Sequence, residues 1–293
     1  MTIDNWLRRT TKKLSKANVA TAHLDCLILL EDETAKDRSW LLAHSEYILK
    51  TENILRLNKK IIQRMAHEPL AYIRHKTEFY GREFYIDHNV LEPRPESEAM
   101  IEMLTHLSLP LNAEIVDIGT GSGALAITAK LELPPKYQVT GIDINPSCLK
   151  VASQNADTLG AAIHLLQGNL LEPFNSNYGH LVLLCNLPYV PDTYQINPAA
   201  MHEPPNAIFG GSDGLDLYRE LFNQLKKICS ARSALVLTES MPPQHKSLEN
   251  IALDANFSLR ETNDFVQLFK KDSGDCFDSR CYHPEQHPRQ RSR

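Results

Sequence analysis

The chain has no run that approaches the ~20 apolar residues needed to cross a bilayer as a helix, so a helical membrane protein is not expected. Met1 to Trp6 lack the basic-then-apolar order of a secretory leader. Cysteine is sparse and unevenly spread, at Cys26, Cys148, Cys185, Cys229, Cys276 and Cys281. Four of these sit in apolar or helical contexts and read as reduced core residues. These absences point to the cytoplasm. There is no internal repeat and no excess of positive charge, with 31 Lys and Arg against 36 Asp and Glu. Residues 1–75 carry 13 basic and 9 acidic side chains, whereas the remainder carries 18 and 27. An acidic remainder is a poor non-specific nucleic-acid surface, because phosphate contact needs clustered cations. The basic excess at the amino end reads first as solvated helix faces.

What is present is organised. At 293 residues the chain suits two domains with real cores. Residues 1–72 show apolar residues at helical spacing and predict a small helical bundle. Residues 73–92 carry alternating and aromatic content around Gly81, which predicts a β-hairpin linker. Pro93 and Pro95 break the chain before a third stretch, 93–271. That stretch alternates strand and helix, which predicts an α/β fold with a parallel sheet wrapped by helices. Its last two strands, near 257–261 and 265–269, lie close enough in sequence to form an antiparallel hairpin at one edge. Residues 272–293 are polar, with two prolines and a basic end, and read as a disordered tail. Cys276, Cys281, His283 and His287 fall there, but their spacing fits no metal template, so no metal site is expected. His164, His180 and His202 have no constellation around them.

Two segments carry chemistry. The apolar run Leu181 to Cys185 reads as a buried parallel strand, and Asn186-Leu187-Pro188-Tyr189 follows it directly. Open α/β sheets bind ligands at the carboxyl ends of their strands. An Asn side-chain oxygen and the Leu187 main-chain carbonyl can together accept two hydrogens from one planar NH2 group. The Tyr189 ring face can hold that plane. The second segment is the strand Ile115 to Ile118, which runs into Gly119-Thr120-Gly121-Ser122-Gly123 with a helix opening at Ala124. Its spacing is G-x-G-x-G, not the dinucleotide G-x-G-x-x-G. A second strand ends in Asp143, 20 residues past Gly123, where an acid can hold ribose hydroxyls. A nucleoside ligand beside an amine-holding tetrapeptide is most simply S-adenosylmethionine with the amine as methyl acceptor.

These residues resemble the HemK-type protein glutamine N5-methyltransferases. The resemblance runs from about Ala22 to Lys271. It includes Glu68-Pro69-Leu70-Ala71-Tyr72-Ile73, Glu78-Phe79-Tyr80-Gly81, Pro93-Arg94-Pro95-Glu96-Ser97-Glu98, Gly210-Gly211 and Asp213-Gly214-Leu215. The order and spacing of these segments are specific, whereas the glycine turn alone would fit nearly any methyltransferase of this fold. The resemblance implies a Rossmann-like S-adenosylmethionine-dependent methyltransferase sheet behind an N-terminal helical substrate-recognition domain. It implies cofactor contacts at Asp117, Gly119, Thr120, Gly121, Gly123, Asp143, Asn169 and Asn186, and catalysis at Asn186, Leu187, Pro188 and Tyr189. The implied acceptor is a glutamine amide in a protein, the Gly-Gly-Gln loop of class I peptide-chain release factors. The chain departs from the family pattern at Leu187, where Pro is usual, at Asn169, at Ser97, where Thr is usual, and at Ser240-Met241. Asn-Leu-Pro-Tyr is also the form found in ribosomal RNA adenine dimethyltransferases, so an adenine N6-methyltransferase is the first alternative. A catalytically silent cofactor-binding module is the second. Neither a membrane nor a nucleic-acid substrate is expected.

Overall fold

The computed structural model describes residues 1–174, 179–228 and 233–271. The expected tail at 272–293, with its cysteines and histidines, lies outside the described residues, as does Cys229. The chain forms two compact units. One comprises residues 1–77, 86–88 and 195–203, and the other takes the rest of the described chain. Residues 195–203, read from sequence as part of the catalytic stretch, thus cluster with the helices.

The helical unit holds α1 (Ile3–Lys16), α2 (Ala22–Thr34), α3 (Arg38–Ala43), α4 (Thr51–Met65) and α5 (Leu70–Arg74). Helix α1 starts where the Thr2 side chain accepts the Asn5 N–H, and α3 where Asp37 accepts the Trp40 N–H, so each cap satisfies an orphan donor. Trp6, Leu14, Leu29, Leu30 and Leu57 are fully buried and make its core. Arg64 is paired with Asp25 at 2.7 Å, which matches the one buried acid of α2 with a cation.

A two-stranded hairpin comes next, β1 (Lys76–Phe79) and β2 (Arg82–Tyr85). Phe79 and Phe84 pack edge to face and join the core of the larger unit. Helix α6 (Glu98–His106) was not expected from the sequence, because the prolines before it read only as a break. Its Glu98 accepts the Tyr80 N–H at 2.7 Å and so ties α6 to the hairpin turn.

The larger unit is built on β3 (Ala113–Ile118), α7 (Ala124–Glu132), β4 (Gln138–Asp143), α8 (Pro146–Leu159), β5 (His164–Gln167) and β6 (His180–Cys185). Then come α9 (Asp216–Ile228), β7 (Ser233–Glu239), α10 (His245–Leu253), β8 (Phe257–Asn263) and β9 (Val266–Lys271). The seven strands lie in the order β5-β4-β3-β6-β7-β9-β8. The first five are parallel, and β9 pairs antiparallel with both β7 and β8. The hairpin of the last two strands is present at the edge, with β9 inserted beside β7. Every residue of β3 is buried, as a central strand covered on both faces requires. The chain winds outward from β3 to β4 and β5 on one side, then returns to β6 on the other. That reversal opens a crevice at the carboxyl ends of β3 and β6, where open α/β sheets bind ligands.

Candidate active site

A cavity of about 500 Å³ occupies this crevice. Asp117, Gly119, Thr120, Gly121, Asp143, Asn169, Asn186, Leu187 and Pro188 all line it. Residues from four strand ends, far apart in sequence, are thereby brought together as the motifs suggested. Gly123 and Tyr189 do not line it.

The glycine turn is shaped by its backbone. Gly119, Gly121 and Gly123 all have positive φ, at 73°, 55° and 81°, a region that side chains disfavour. At Gly123 a Cβ would also come within 2.9 Å of Ile127 and 3.2 Å of Ala152, so this glycine serves the close packing of α7 on α8. The Gly119 and Thr120 N–H groups both donate to the Ile142 carbonyl, which pins the turn to β4. Asp143 closes the arrangement. Its Oδ2 accepts the Gly121 N–H at 2.9 Å and its Oδ1 accepts the Asn145 N–H at 2.8 Å. Burial raises its pKa, and these two donors work against that rise. The Cys148 thiol also acts on this carboxylate, which keeps acceptor capacity for a ligand hydroxyl.

Asp117 lies beneath the turn. Its Oδ2 accepts from the Thr120 hydroxyl at 2.6 Å and from the Ala126 N–H at 3.1 Å. Its Oδ1 is buried with no partner. Burial pushes its pKa to about 7, the Thr120 and Ala126 donors pull it down, and the Asp143 charge adds to the rise. Asp117 lines the cavity, and its carboxylate charge favours a cationic ligand group there. On the other side Asn169 donates from Nδ2 to Glu220 at 2.6 Å, which leaves its Oδ1 as an acceptor. Ile144, 60% exposed, lines the cavity with an apolar surface next to Asp143.

The tetrapeptide is held from two sides. Asn186 Nδ2 donates to Ser97 Oγ at 2.9 Å, and Ser97 Oγ donates to Glu239 Oε2 at 2.6 Å. The Tyr189 hydroxyl donates to Glu239 Oε1 at 3.0 Å. Glu239 is fully buried, and burial raises its pKa against the pull of these two hydroxyls. From the sequence, Glu239 stands only as the retained first residue of the segment that departs from the family at Ser240-Met241, with no role in the site. The available sign was an acid closing an apolar strand, the pattern that singled out Asp143. On the far side, Gln244 Nε2 donates to the carbonyls of Tyr189 and Asp213, both at 2.7 Å. The loop after the tetrapeptide returns beside it, with the Val190 N–H on Ile208 and the Gly210 N–H on Val190. Gly210 and Gly214 let this loop approach: a Cβ there would stand 2.2 Å from the Pro188 oxygen or 2.0 Å from the Tyr189 oxygen. Among the described residues, neither Asn186 Oδ1 nor the Leu187 carbonyl receives a hydrogen bond. Asn186 and Leu187 both line the cavity, and each keeps an acceptor oxygen that takes no hydrogen from these protein donors.

Comparison with known proteins agrees with this geometry. Residues 5–74 match the PrmC N-terminal domain family, and residues 115–201 match a methyltransferase domain family. The chain is 36% identical over 208 residues to the release factor glutamine methyltransferase of Bacillus subtilis (strain 168), covering 68% of this chain and 72% of that protein. The protein of that name from Koribacter versatilis is 33% identical over 77% of this chain and 81% of its own. The Vibrio cholerae one is 32% identical over 73% and 76%. The chain belongs to the release factor glutamine methyltransferase family. It is a methyltransferase whose methyl donor is S-adenosylmethionine, and the cavity fits that donor. The glycine turn offers close backbone approach, Asp143 lines the cavity with acceptor capacity for a ribose hydroxyl, and the Asp117 charge favours an ammonium.

Proposed function

We propose that the protein transfers the methyl group of S-adenosylmethionine to the side-chain amide nitrogen of a glutamine, the glutamine of the Gly-Gly-Gln loop in class I peptide-chain release factors. The reading rests on family membership and, above all, on the paired acceptors at Asn186 and Leu187. Asp143 holds the ribose hydroxyls, Asp117 the amino group, and Asn169 Oδ1 the adenine amine. Gly119, Thr120, Gly121 and Gly123 shape the turn that carries the donor, and Asn186 stands where donor and acceptor meet.

An amide nitrogen is a poor nucleophile because its lone pair is delocalised into the carbonyl. Asn186 Oδ1 and the Leu187 carbonyl accept its two hydrogens and aim the nitrogen at the methyl. They also stabilise the positive charge that grows on nitrogen, with no reorganisation at the moment of transfer. Holding nitrogen, methyl carbon and sulfur in line supplies several kcal/mol through proximity alone. The nitrogen–methyl bond forms as the sulfur–methyl bond breaks and S-adenosylhomocysteine leaves; the nitrogen, acidic after transfer, then gives its proton to water, so no strong base is required. Pro188 stiffens the strand exit, and Tyr189 anchors it through Glu239. The helical unit recognises the protein substrate, and the reaction serves translation termination in the cytoplasm. Among the described residues no helix is long and apolar enough to cross a membrane.

The test is transfer of labelled methyl from S-adenosylmethionine to an intact class I release factor and to a copy whose loop glutamine is alanine. Label in the first and none in the second supports the reading. Equal label in both overturns it.

A further inference from the structure

Asn186 can serve as an acceptor only if its amide is turned the right way round. The two ends of a carboxamide have nearly the same shape, so packing alone does not choose between them. Hydrogen bonding must make the choice, and the partners of Asn186 do so through a chain that runs into the core. Ser97 Oγ has one hydrogen, and that hydrogen is given to Glu239 Oε2 at 2.6 Å. The Ser97 oxygen can then only accept, so it takes the Asn186 Nδ2 hydrogen at 2.9 Å. Oδ1 is left without a protein donor, on a residue that lines the cavity. Glu239 enforces this direction because an ionised carboxylate has acceptors and no donor. Its other oxygen takes the Tyr189 hydroxyl, which fixes the carboxylate plane.

Resting on the proposed acceptor role of Asn186, we infer that Glu239 is a positioning residue: acting through Ser97, it sets the polarity of the Asn186 amide and so makes the site an acceptor of N–H hydrogens. Glu239 never touches the substrate. A proton on Glu239 would reverse the chain. Oε2 would donate to Ser97, the Ser97 hydrogen would turn towards Asn186, and the amide would rotate to present NH2 to a substrate that also offers NH2.

The surroundings favour such a titration. Glu239 has no exposure, burial raises its pKa, and the Glu96 charge adds to that rise. Ser97, Tyr189 and Arg94 oppose it. Tyr218, also fully buried, donates its hydroxyl to the main-chain carbonyls at Cys185 and Glu239 and not to the carboxylate. Turnover should therefore fall on the acid side as Glu239 gains its proton.

The experiment compares Ser97→Ala, Ser97→Thr, Glu239→Gln and the Ser97→Ala/Glu239→Gln double variant in the full chain. With a class I release factor as substrate, Ser97→Ala and Glu239→Gln should each lower kcat by about 100-fold, as loss of one preorganised polar contact does. S-adenosylmethionine affinity should be unchanged. The double variant should be no slower than the slower single, because both substitutions break the same chain. Ser97→Thr should recover most of what alanine loses, and the acid limb of kcat should vanish in Glu239→Gln. Losses that multiply in the double variant, or wild-type kcat in folded Ser97→Ala, would overturn the inference.

A second readout needs no substrate. The Asn186 side-chain NH2 resonance should be protected from exchange in the wild type and unprotected in Ser97→Ala. An unchanged resonance would also overturn the inference. If the wild type leaves the loop glutamine unmethylated while the resonance behaves as expected, the substrate assignment fails and the polarity chain stands.

Discussion

Replacing Asp117 with Asn should stabilise the protein and weaken its hold on the methyl donor. The carboxyl is 1% exposed, its Oδ1 has no partner, and burial brings its pKa to about 7 from the ordinary 3.8. That gap is worth roughly 4 kcal/mol at 1.36 kcal/mol per pH unit, as an upper bound. The folded-state value lies above the unfolded one. The stabilisation from this group is thus complete below about pH 3.8 and is lost progressively up to about pH 7, as the unfolded chain ionises and the folded one does not. Asn keeps the acceptor for Thr120 and Ala126 but cannot ionise. Thermal melts of Asp117→Asn and wild type should coincide near pH 4 and separate as pH rises, with the variant higher by several degrees at about pH 8. Calorimetric titration should show the opposite order for S-adenosylmethionine. Wild-type affinity should rise through pH 7 as the carboxylate forms, while the variant should bind more weakly with no such step. A variant melting below wild type at pH 8 would refute the reasoning, because the buried charge would then be satisfied in a way these contacts do not provide.

Asp143→Ala removes the acceptor of two backbone N–H groups and of the ribose, so donor affinity should fall by about 1.5–3 kcal/mol in calorimetric titration. Gly214→Ala forces a left-handed residue at φ 81° and drives a methyl into the Tyr189 carbonyl and the Gln244 amide. About 1–2 kcal/mol of backbone strain should come with lost turnover and retained donor binding, measured by kcat and titration in parallel. Leu187→Pro keeps the acceptor carbonyl, so kcat should survive. Its Leu side chain is buried beside Gly119, and its N–H faces the Tyr218 hydroxyl, so melting should report a loss of about 1 kcal/mol.

Local pattern carried far into the structure where the local signal was strong. The apolar runs at 115–118 and 181–185, the glycine turn and the terminal Asp143 predicted strands, a turn and an acid at a strand end, because each depends on neighbours in sequence. The loop glycines at 210 and 214 were legible only as part of the family resemblance. Their need for close approach arises from carbonyls some 20 residues earlier in the chain. The Ser97–Glu239 contact spans 142 positions and could not be read from spacing. Tyr189 was read as a stacking face, and its hydroxyl proves to be engaged with that same distant acid. The Leu187 N–H engages Tyr218, a partner 31 positions away that spacing could not show. Helix α6 was not legible because Pro93 and Pro95 mark a break and carry no signal for the element beyond it.

The central claim is that the crevice between β3 and β6 methylates a glutamine amide. Tandem mass spectrometry of a class I release factor, incubated with S-adenosylmethionine and either the wild type or Asn186→Ala, tests it most directly. The account predicts one methyl group on the side chain of the Gly-Gly-Gln glutamine with the wild type, and almost none with a variant that still binds the donor. A methyl group on any other residue, or full methylation by folded Asn186→Ala, would contradict it.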